Sequence, residues 1–257
     1  MKGKGISSHV KRGGNPESEM VHARLLISGE AEEIWGWNSP AGRERVARRI
    51  QWIRNVCSIR PGLKVLECGC GTGIFTQQLA KLGAEITAVD ISIDLLTKAR
   101  NSCGEDQVTF LQTNLEDPKE IPDEYFDAMF GVSVLHHLDV NAALPRLKTK
   151  LKPNGKFAFS EPNILNPINK HVIFSSNVEK RRKLGVSPHE MAFRPDELKA
   201  AFEFSGYHVD AVEHRDFLHP SIPRYMISLA KTFEFVAERL PGFRSLSGSI
   251  WISGRRF

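Results

Sequence analysis

The segment LKVLECGCGTG at residues 63–73 constrains the fold more than any other part of the chain. A short apolar run ends there in glycines at alternate positions, Gly69, Gly71 and Gly73. An apolar run of this length before a turn predicts a buried strand of a parallel sheet. Glycine permits a sharp turn and a close approach of another molecule to the backbone. The helical pattern of residues 74–82 follows, so its free N–H groups and positive dipole end suit a carboxylate or phosphate.

Strand-like and helix-like segments alternate along most of the chain with short links between them. The predicted strands are residues 63–68, 85–90, 107–114, 126–134, 156–162, 207–217 and 247–256. This alternation is typical of βαβ units around a parallel sheet. We therefore expect an α/β fold with a Rossmann-like, mostly parallel seven-stranded sheet, helices on both faces and an antiparallel last strand. The alternating pattern of that last strand predicts that it lies at an edge.

A helix is expected immediately before the first strand. Ser39 is a suitable N-cap, Pro40 a suitable first helical residue, and apolar residues recur at helical spacing over residues 41–57. Five arginines lie between these apolar positions and are expected on the solvated face of the helix.

The domain boundaries follow from these elements. Residues 1–40 are interpreted as an N-terminal arm and residues 41–257 as one domain. Two segments, 163–192 and 218–246, do not fit the alternation. Each follows the carboxyl end of a strand, so both are expected to form lids at the same rim of the sheet.

Composition and targeting signals exclude several classes of protein. With 41% apolar and 25% charged residues, the chain is neither collagen-like nor disordered overall. The basic N-terminus has no apolar core of a secretory signal, and no apolar stretch approaches the ~20 residues of a membrane span. The cysteines Cys57, Cys68, Cys70 and Cys103 have no metal-ligand spacing and are interpreted as reduced thiols. We expect a cytoplasmic protein with no transmembrane segment and no metal.

Four motifs in order give a resemblance. VLECGCGTG, AVD, FDAMFGVSVLHHL and LKPNGKFAFSEPN together resemble the class I S-adenosylmethionine-dependent methyltransferases. Within that superfamily the sequence is most similar to the ubiquinone/menaquinone-biosynthesis-like (type 11) group, over about residues 60–162. The resemblance implies S-adenosyl-L-methionine as cofactor and methyl transfer as the reaction.

The resemblance also implies which residues bind the cofactor. The residues that would hold its methionyl end are Glu67, Gly69, Cys70, Gly71, Thr72 and Gly73. Asp90 would accept both ribose hydroxyls, a role that its position at the end of the second strand also favours over a simple turn cap. The residues beside the adenine and the methionine moiety would be Ile91, Asn114, Leu115 and Val132. The family usually has Asp where Asn114 stands, and an Asn carbonyl can still accept the adenine amino hydrogen bond.

The resemblance implies an in-line displacement at a methyl group that the cofactor already activates, so we expect the protein mainly to align the acceptor. A base is needed only where the acceptor loses a proton. His137 and His189 are the candidate catalytic residues, against the alternatives of a packed loop and a surface histidine. His136 is more readily interpreted as a framework residue, and Glu161 as either an orienting group or a turn cap.

The acceptor is expected to be a small molecule or lipid-like, methylated on oxygen, nitrogen or carbon. Trp35 and Trp37 are expected to complete its pocket. An apolar stripe recurs at helical spacing from Ile222 to Leu240. It fits a pocket wall, core packing, a dimer contact or a helix on a membrane surface, and core packing is the favoured interpretation.

Three other functions compete with this one. An NAD(P)-dependent oxidoreductase would share the fold, but its glycine spacing is G-x-G-x-x-G. A cofactor-binding protein without catalysis is also compatible with the motifs. A nucleic-acid methyltransferase is disfavoured, because strand four leads into GVSVLHH without a [D/N]-P-P-[Y/F] segment and the basic run 180–183 has no interleaved aromatics. No nucleic-acid partner is therefore expected.

Overall fold

The structure, a computed structural model, describes residues 31–103, 108–177 and 190–257 and the single residues Met20, Glu179, Arg181, Leu184 and Val186. The strands are β1 Lys64–Cys68, β2 Glu85–Asp90, β3 Val108–Gln112, β4 Phe126–Val132, β5 Leu151–Pro162, β6 Tyr207–Arg215 and β7 Ser249–Arg256. The α-helices are α1 Ala31–Ile34, α2 Pro40–Val56, α3 Ile74–Ala80, α4 Ile93–Cys103, α5 Val140–Lys150, α6 Pro195–Phe204 and α7 Ile227–Ala237.

The seven strands form one sheet in the order β3-β2-β1-β4-β5-β7-β6. β1 pairs in parallel with β2 on one side and with β4 on the other, so the strand order reverses at β1. Parallel sheets bind ligands beyond the carboxyl ends of the strands at such a reversal. The predicted fold class is confirmed, and this edge is where a site is expected.

The predicted position of β7 at an edge is wrong. β7 pairs antiparallel with β5 on one side and with β6 on the other, so Ser253 lies opposite both Ala158 and Ala211. A Cβ at Gly254 would lie 1.9 Å from the carbonyl oxygen of His208, so only glycine permits this close approach of the two strands. The edge strand on this side of the sheet is β6. Alternation of side chains reports the two faces of a strand but not the number of its neighbours.

Two apolar clusters cover the two faces of the sheet. On one face β-strand residues such as Leu66 and Phe157 pack with Leu147 of α5 and Phe202 of α6. On the other face their sequence neighbours pack against α2, α3 and α4, and Ile53 of α2 is fully buried there. Adjacent residues of one strand point to opposite faces, so a strand buried on both faces is apolar throughout.

α2 begins where the sequence predicts, because the Ser39 hydroxyl oxygen accepts the N–H of Gly42 at 2.9 Å. The expectation that its arginines are all solvated is wrong for Arg49, which is 1% exposed. The Arg49 guanidinium pairs with the carboxylate of Asp216 and lies over the rings of Trp37 and Trp251. A buried charge of this kind requires a partner, and Asp216 is far from Arg49 in the sequence.

The prediction that the Ile222–Leu240 stripe packs in the core is also wrong. α7 covers only part of this stripe, and Leu229 of the stripe is 67% exposed. The buried side of α7 instead carries Glu234, and the buried Glu238 directly follows the helix; both carboxylates pair with Arg48. The helix is therefore held on the protein by ion pairs, and its apolar residues point away from the core. Among the described residues, no helix is long and apolar enough to cross a membrane.

Candidate active site

A cavity of about 1300 Å³ opens at the carboxyl ends of β1, β2 and β4. Ten of the predicted site residues line it: Gly69, Cys70, Gly71, Thr72, Asp90, Ile91, Asn114, Leu115, Val132 and His137. Trp35 and Trp37 line it as well. Glu67 and Gly73 are not among its lining residues. The predicted His189 lies outside the described residues.

The glycine loop after β1 is held open by backbone geometry and by one carboxylate. Gly69, Gly71 and Gly73 all have positive φ, at 67°, 54° and 83°. The N–H of Gly71 donates to Oδ2 of Asp90 at 2.9 Å, and the N–H of Ser92 donates to Oδ1 at 2.9 Å. Asp90 therefore fastens the loop to the end of β2, and each of its oxygens retains a lone pair for a ligand.

Burial raises the pKa of the Asp90 carboxyl, and the two backbone N–H groups of Ser92 and Gly71 partly offset this effect. A positive charge on the His137 imidazole would also lower the pKa of Asp90. A ligand that donates hydrogen bonds to Asp90 would likewise favour its ionised form.

One polar atom of the loop is available to a ligand. The Thr72 hydroxyl is buried and has no hydrogen-bond partner among the described residues, although Thr72 lines the cavity. Buried polar atoms are normally satisfied. The Trp35 ring lies over Gly71, 3.4 Å from where a Cβ would stand. The loop thus offers an unsatisfied hydroxyl and an aromatic cover, which fits the methionyl end of S-adenosylmethionine.

Glu67 is buried at the end of β1 and is hydrogen-bonded to α3. Its carboxyl is 2% exposed under the loop, and its Oε2 accepts the Thr76 hydroxyl of α3 at 2.6 Å. Burial raises the pKa of Glu67 to about 8, against 4.5 for a solvated glutamate, and the Thr76 hydrogen bond opposes this only in part. The geometry supports a positioning role, in which Glu67 links β1 to α3 below the loop.

Asn114 lines the cavity, but its Oδ1 already accepts the N–H of Glu116 at 2.9 Å. An amide oxygen has two lone pairs, so one remains for the adenine amino group that the resemblance implies.

The turn after β4 is organised by Glu161 at the end of β5. Its Oε1 accepts the N–H groups of Val134 and Leu135 at 3.1 and 2.9 Å, and its Oε2 lies 2.8 Å from Nδ1 of His136. His136 is buried, so the framework interpretation of this residue fits the geometry. Of the two alternatives for Glu161, the capping of a turn is the one observed.

His137 follows on this turn, and its Nδ1 lies 3.9 Å from Oε1 of Glu190. Glu190 is buried, lines the cavity and also lies 3.9 Å from Nε2 of His136. One potential ligand atom from each of these three residues lies within 4.8 Å of those of the other two, a spacing that a metal ion could bridge. The same arrangement is an acid–histidine pair that can accept a proton.

Sequence reasoning missed Glu190 and Asp216, which both line the cavity. Asp216 directly follows β6, so the rule that acids at the carboxyl edge of a parallel sheet face the ligand could have found it. Burial would raise the pKa of Asp216, but the buried Arg49 guanidinium brings it below its usual range. One oxygen of this ionised carboxylate, Oδ1, has no partner among the described residues.

The model of a methyltransferase domain family matches residues 66–159. An uncharacterized protein of Synechococcus sp. is 38% identical over 128 residues, which are 47% of this chain and 29% of that protein. A protein of Actinobacillus pleuropneumoniae serotype 7, named ubiquinone biosynthesis O-methyltransferase, is 28% identical over 199 residues, or 71% of this chain and 85% of that protein. The chain thus spans less than a third of the first relative and most of the second.

Solved structures share the fold. An S-adenosylmethionine-dependent methyltransferase from Mesorhizobium loti aligns with a TM-score of 0.63 at 20% identity, over 82% of this chain and 100% of that one. The N-methyltransferase NodS from Bradyrhizobium japonicum WM9, in complex with S-adenosyl-L-homocysteine, aligns with a TM-score of 0.61 at 15% identity. The alignment covers 93% of this chain and 98% of that one. The oxidoreductase alternative receives no support from these comparisons. Over residues 66–159 the chain has a methyltransferase domain, and it is similar to a ubiquinone biosynthesis O-methyltransferase and shares its fold with S-adenosylmethionine-dependent methyltransferases.

Proposed function

We propose that this methyltransferase transfers its methyl group to a hydroxyl oxygen of a small, lipid-like acceptor. The observation that supports this most is that one cavity contains the glycine loop, Asp90 and the His137–Glu190 pair. Its volume of about 1300 Å³ exceeds the ~300–1000 Å³ of a usual single-ligand site, so a cofactor and an acceptor both have room. The name of the relative from A. pleuropneumoniae supports oxygen as the methylated atom.

On the cofactor side, the glycine loop and the Thr72 hydroxyl would bind the methionyl end, and Asp90 would accept the ribose hydroxyls. Ile91, Asn114 and Leu115 would surround the adenine. S-adenosylmethionine, when bound, supplies a methyl group on a positively charged sulfur that leaves as a neutral thioether. The chain's own task is to hold the acceptor oxygen in line with that bond and to exclude water. Proximity and orientation lower the activation barrier by about 7–11 kcal/mol in well-oriented reactions.

On the acceptor side, the wall consists of apolar residues of the segment after β5, among them Val172, Ile173 and Phe174. Trp35, Trp37, Phe217 and Leu218 also line the cavity. We propose that residues 163–192 form a lid over this end. For residues 218–246, only positions 218–221 line the cavity, so the proposed lid is limited to them. The boundary between an arm and a domain at residue 40, the cytoplasmic location and the absence of nucleic-acid partners stay predictions.

His137 is proposed as the base. As the acceptor oxygen bonds to the methyl carbon, its proton passes to the imidazole, and the Glu190 carboxylate stabilises the resulting imidazolium. The Glu161 carboxylate accepts hydrogen bonds from the backbone of the turn that carries His137. These bonds keep the turn beside the cavity.

The test begins with calorimetric titration of S-adenosylmethionine, S-adenosylhomocysteine and NADPH. Methyl transfer is then measured with alkylphenols and alkylcatechols of increasing chain length. We expect the two adenosyl ligands to bind and the longer alkyl acceptors to have the lower KM. If no phenolic acceptor is methylated and amines are methylated instead, the proposal of an oxygen acceptor is refuted.

His137→Gln is expected to lower kcat by about 10²–10⁴ and to leave the affinity for S-adenosylhomocysteine unchanged. His208→Gln, on the edge strand away from the cavity, is the matched control. The same assay with EDTA and with added Zn²⁺ or Mg²⁺ tests the metal-like spacing of His136, His137 and Glu190. Activity that is lost with EDTA and restored by one ion would replace the proposed base with a metal site.

A further inference from the structure

The side of α7 that points away from the protein is apolar, together with the short turns that flank the helix. This apolar face consists of Tyr225, Met226, Leu229, Phe233, Phe235, Val236, Leu240, Phe243 and Leu246, all of which are exposed. Leu229 is 67% and Phe235 59% exposed. Single exposed apolar residues need no explanation, but a contiguous group of large ones marks an interaction surface.

The orientation of this face is fixed by the polar side of the same helix. Oε1 of Glu234 accepts the N–H groups of Phe217 and Leu218 at 2.8 and 3.2 Å. Glu238 binds both Arg48 and Arg215 at 2.7 Å. Turning the apolar face inward would break these contacts and leave the charges of Glu234 and Glu238 without their partners, which is costly. The apolar face is therefore a stable feature of the folded chain.

The exposed charges on and around the face are mostly basic. Among residues 218–246 the two acids, Glu234 and Glu238, are buried and paired, whereas the formally charged side chains that are exposed are all basic: Arg224, Lys231, Arg239 and Arg244. A cleft of about 820 Å³ between α2 and α7 adds Arg43 beside Arg224 and Lys231. One acid, Glu44, pairs with Lys231 there at 2.7 Å. An apolar helix face bordered by Lys and Arg is typical of a helix that lies in the interface of an anionic lipid bilayer.

The face is continuous with the cavity of the active site. Phe217 lines the cavity, and its ring stacks on Phe243 with centroids 5.7 Å apart and meets Phe233 edge-on at 6.0 Å. Phe233 and Phe243 both belong to the apolar face. A surface that binds this face would therefore lie against the wall of the cavity.

We propose that the apolar face of α7 binds the surface of an anionic membrane, with the helix lying in the plane of the interface. No described helix could cross a bilayer, so the contact is peripheral. A second copy of the chain fits the face less well, because a symmetric contact would bring the same basic residues of both copies together. This inference does not rest on the identity of the acceptor, since it follows from exposure and charge alone.

The experiment is sedimentation of the full chain with vesicles of phosphatidylcholine alone and of phosphatidylcholine mixed with phosphatidylglycerol in equal parts. We expect binding to the mixed vesicles and weaker binding at high salt. Leu229→Gln, Val236→Gln and Leu240→Gln together should lower the partition coefficient by at least about tenfold, because each removes apolar area from the bilayer contact. Glutamine retains helix propensity, and thermal unfolding checks that the variant is folded.

Phe204→Gln, at an exposed phenylalanine of α6, is the matched control and should bind as the parent does. Arg224→Ala with Arg244→Ala should weaken binding to the anionic vesicles only. Absence of binding to both kinds of vesicle, or equal binding by the triple variant, would overturn the proposal. A dimer in light scattering that the triple variant dissociates would assign the face to a second copy and overturn it equally.

Discussion

Glu67→Gln tests whether a protonated carboxyl lies beneath the glycine loop. Burial raises the pKa of Glu67 to about 8 in the fold, against 4.5 for a solvated glutamate. At pH values between 4.5 and about 8, the folded chain binds a proton at Glu67 that the unfolded chain has released. The free energy of unfolding of the parent should therefore fall as the pH rises through this window, by about 1.4 kcal/mol for each pH unit. Across the window the loss has an upper limit of about 5 kcal/mol.

Glutamine is neutral at every pH, and its amide oxygen can accept the Thr76 hydroxyl as the carboxyl does. The variant should therefore match the parent at pH 5 to within about 1 kcal/mol and exceed it at pH 9 by several kcal/mol. The assay is urea unfolding from pH 5 to 9 without cofactor, with Glu85→Gln, at an exposed strand position, as control. Parallel stability curves for the parent and Glu67→Gln would refute a protonated Glu67.

Three further predictions concern the site and the core. Asp90→Ala should lower the affinity for S-adenosylhomocysteine by about a hundredfold or more, since charge-assisted hydrogen bonds are lost, and unchanged affinity in calorimetry would contradict the ribose assignment. Phe202→Ala should destabilise the fold by about 3–5 kcal/mol in urea unfolding, because this fully buried ring stacks on Phe157 at 4.6 Å; a loss below about 1 kcal/mol would show that the core refills the cavity. Ser39→Ala should cost about 1 kcal/mol by removing the N-cap of α2, whereas Ser39→Asp should retain it, and equal losses in both variants would argue against capping.

The sequence predicts the central part of the sheet well because the signals there are local. An apolar run, a glycine turn and a helical period lie within about 20 residues of one another in each βα unit. The position of Asp90 follows from the same logic, since the carboxyl ends of parallel strands share one edge of the sheet. The loop residues Gly69 to Thr72 line the cavity for this reason.

The features that the sequence does not predict depend on contacts between distant segments. The helical pattern of α2 gives no sign that Arg49 differs from the other arginines. Arg49 can be buried because its guanidinium pairs with Asp216, which directly follows β6. The apolar stripe of α7 resembles a core stripe, since its period is correct. The burial of Glu234 and Glu238 reverses that interpretation, and it depends on Arg48 of α2.

Glu67 illustrates a finer limit of the same kind. Its place at the end of β1 is predicted, but the direction of its side chain is not. A strand side chain can point to either face of the sheet, and here the carboxyl lies under the loop against α3. Spacing in the sequence therefore identified the correct edge of the sheet but could not distinguish residues that line the cavity from those that support it.

The position of β7 also governs how the sheet can open. β6 has β7 as its neighbour in the sheet, whereas β5 is shared between β4 and β7. A fluctuation that separates β7 from both of its neighbours therefore releases all of the interstrand hydrogen bonds of β6 but leaves the β4–β5 pairing intact. In amide hydrogen exchange, we expect the β6 amides to be protected no better than the β7 amides that pair with β6, and the two strands to exchange as one cooperative unit. Asp216, Phe217 and α7 all lie on the chain between these strands, so that unit includes one wall of the cavity and the apolar face.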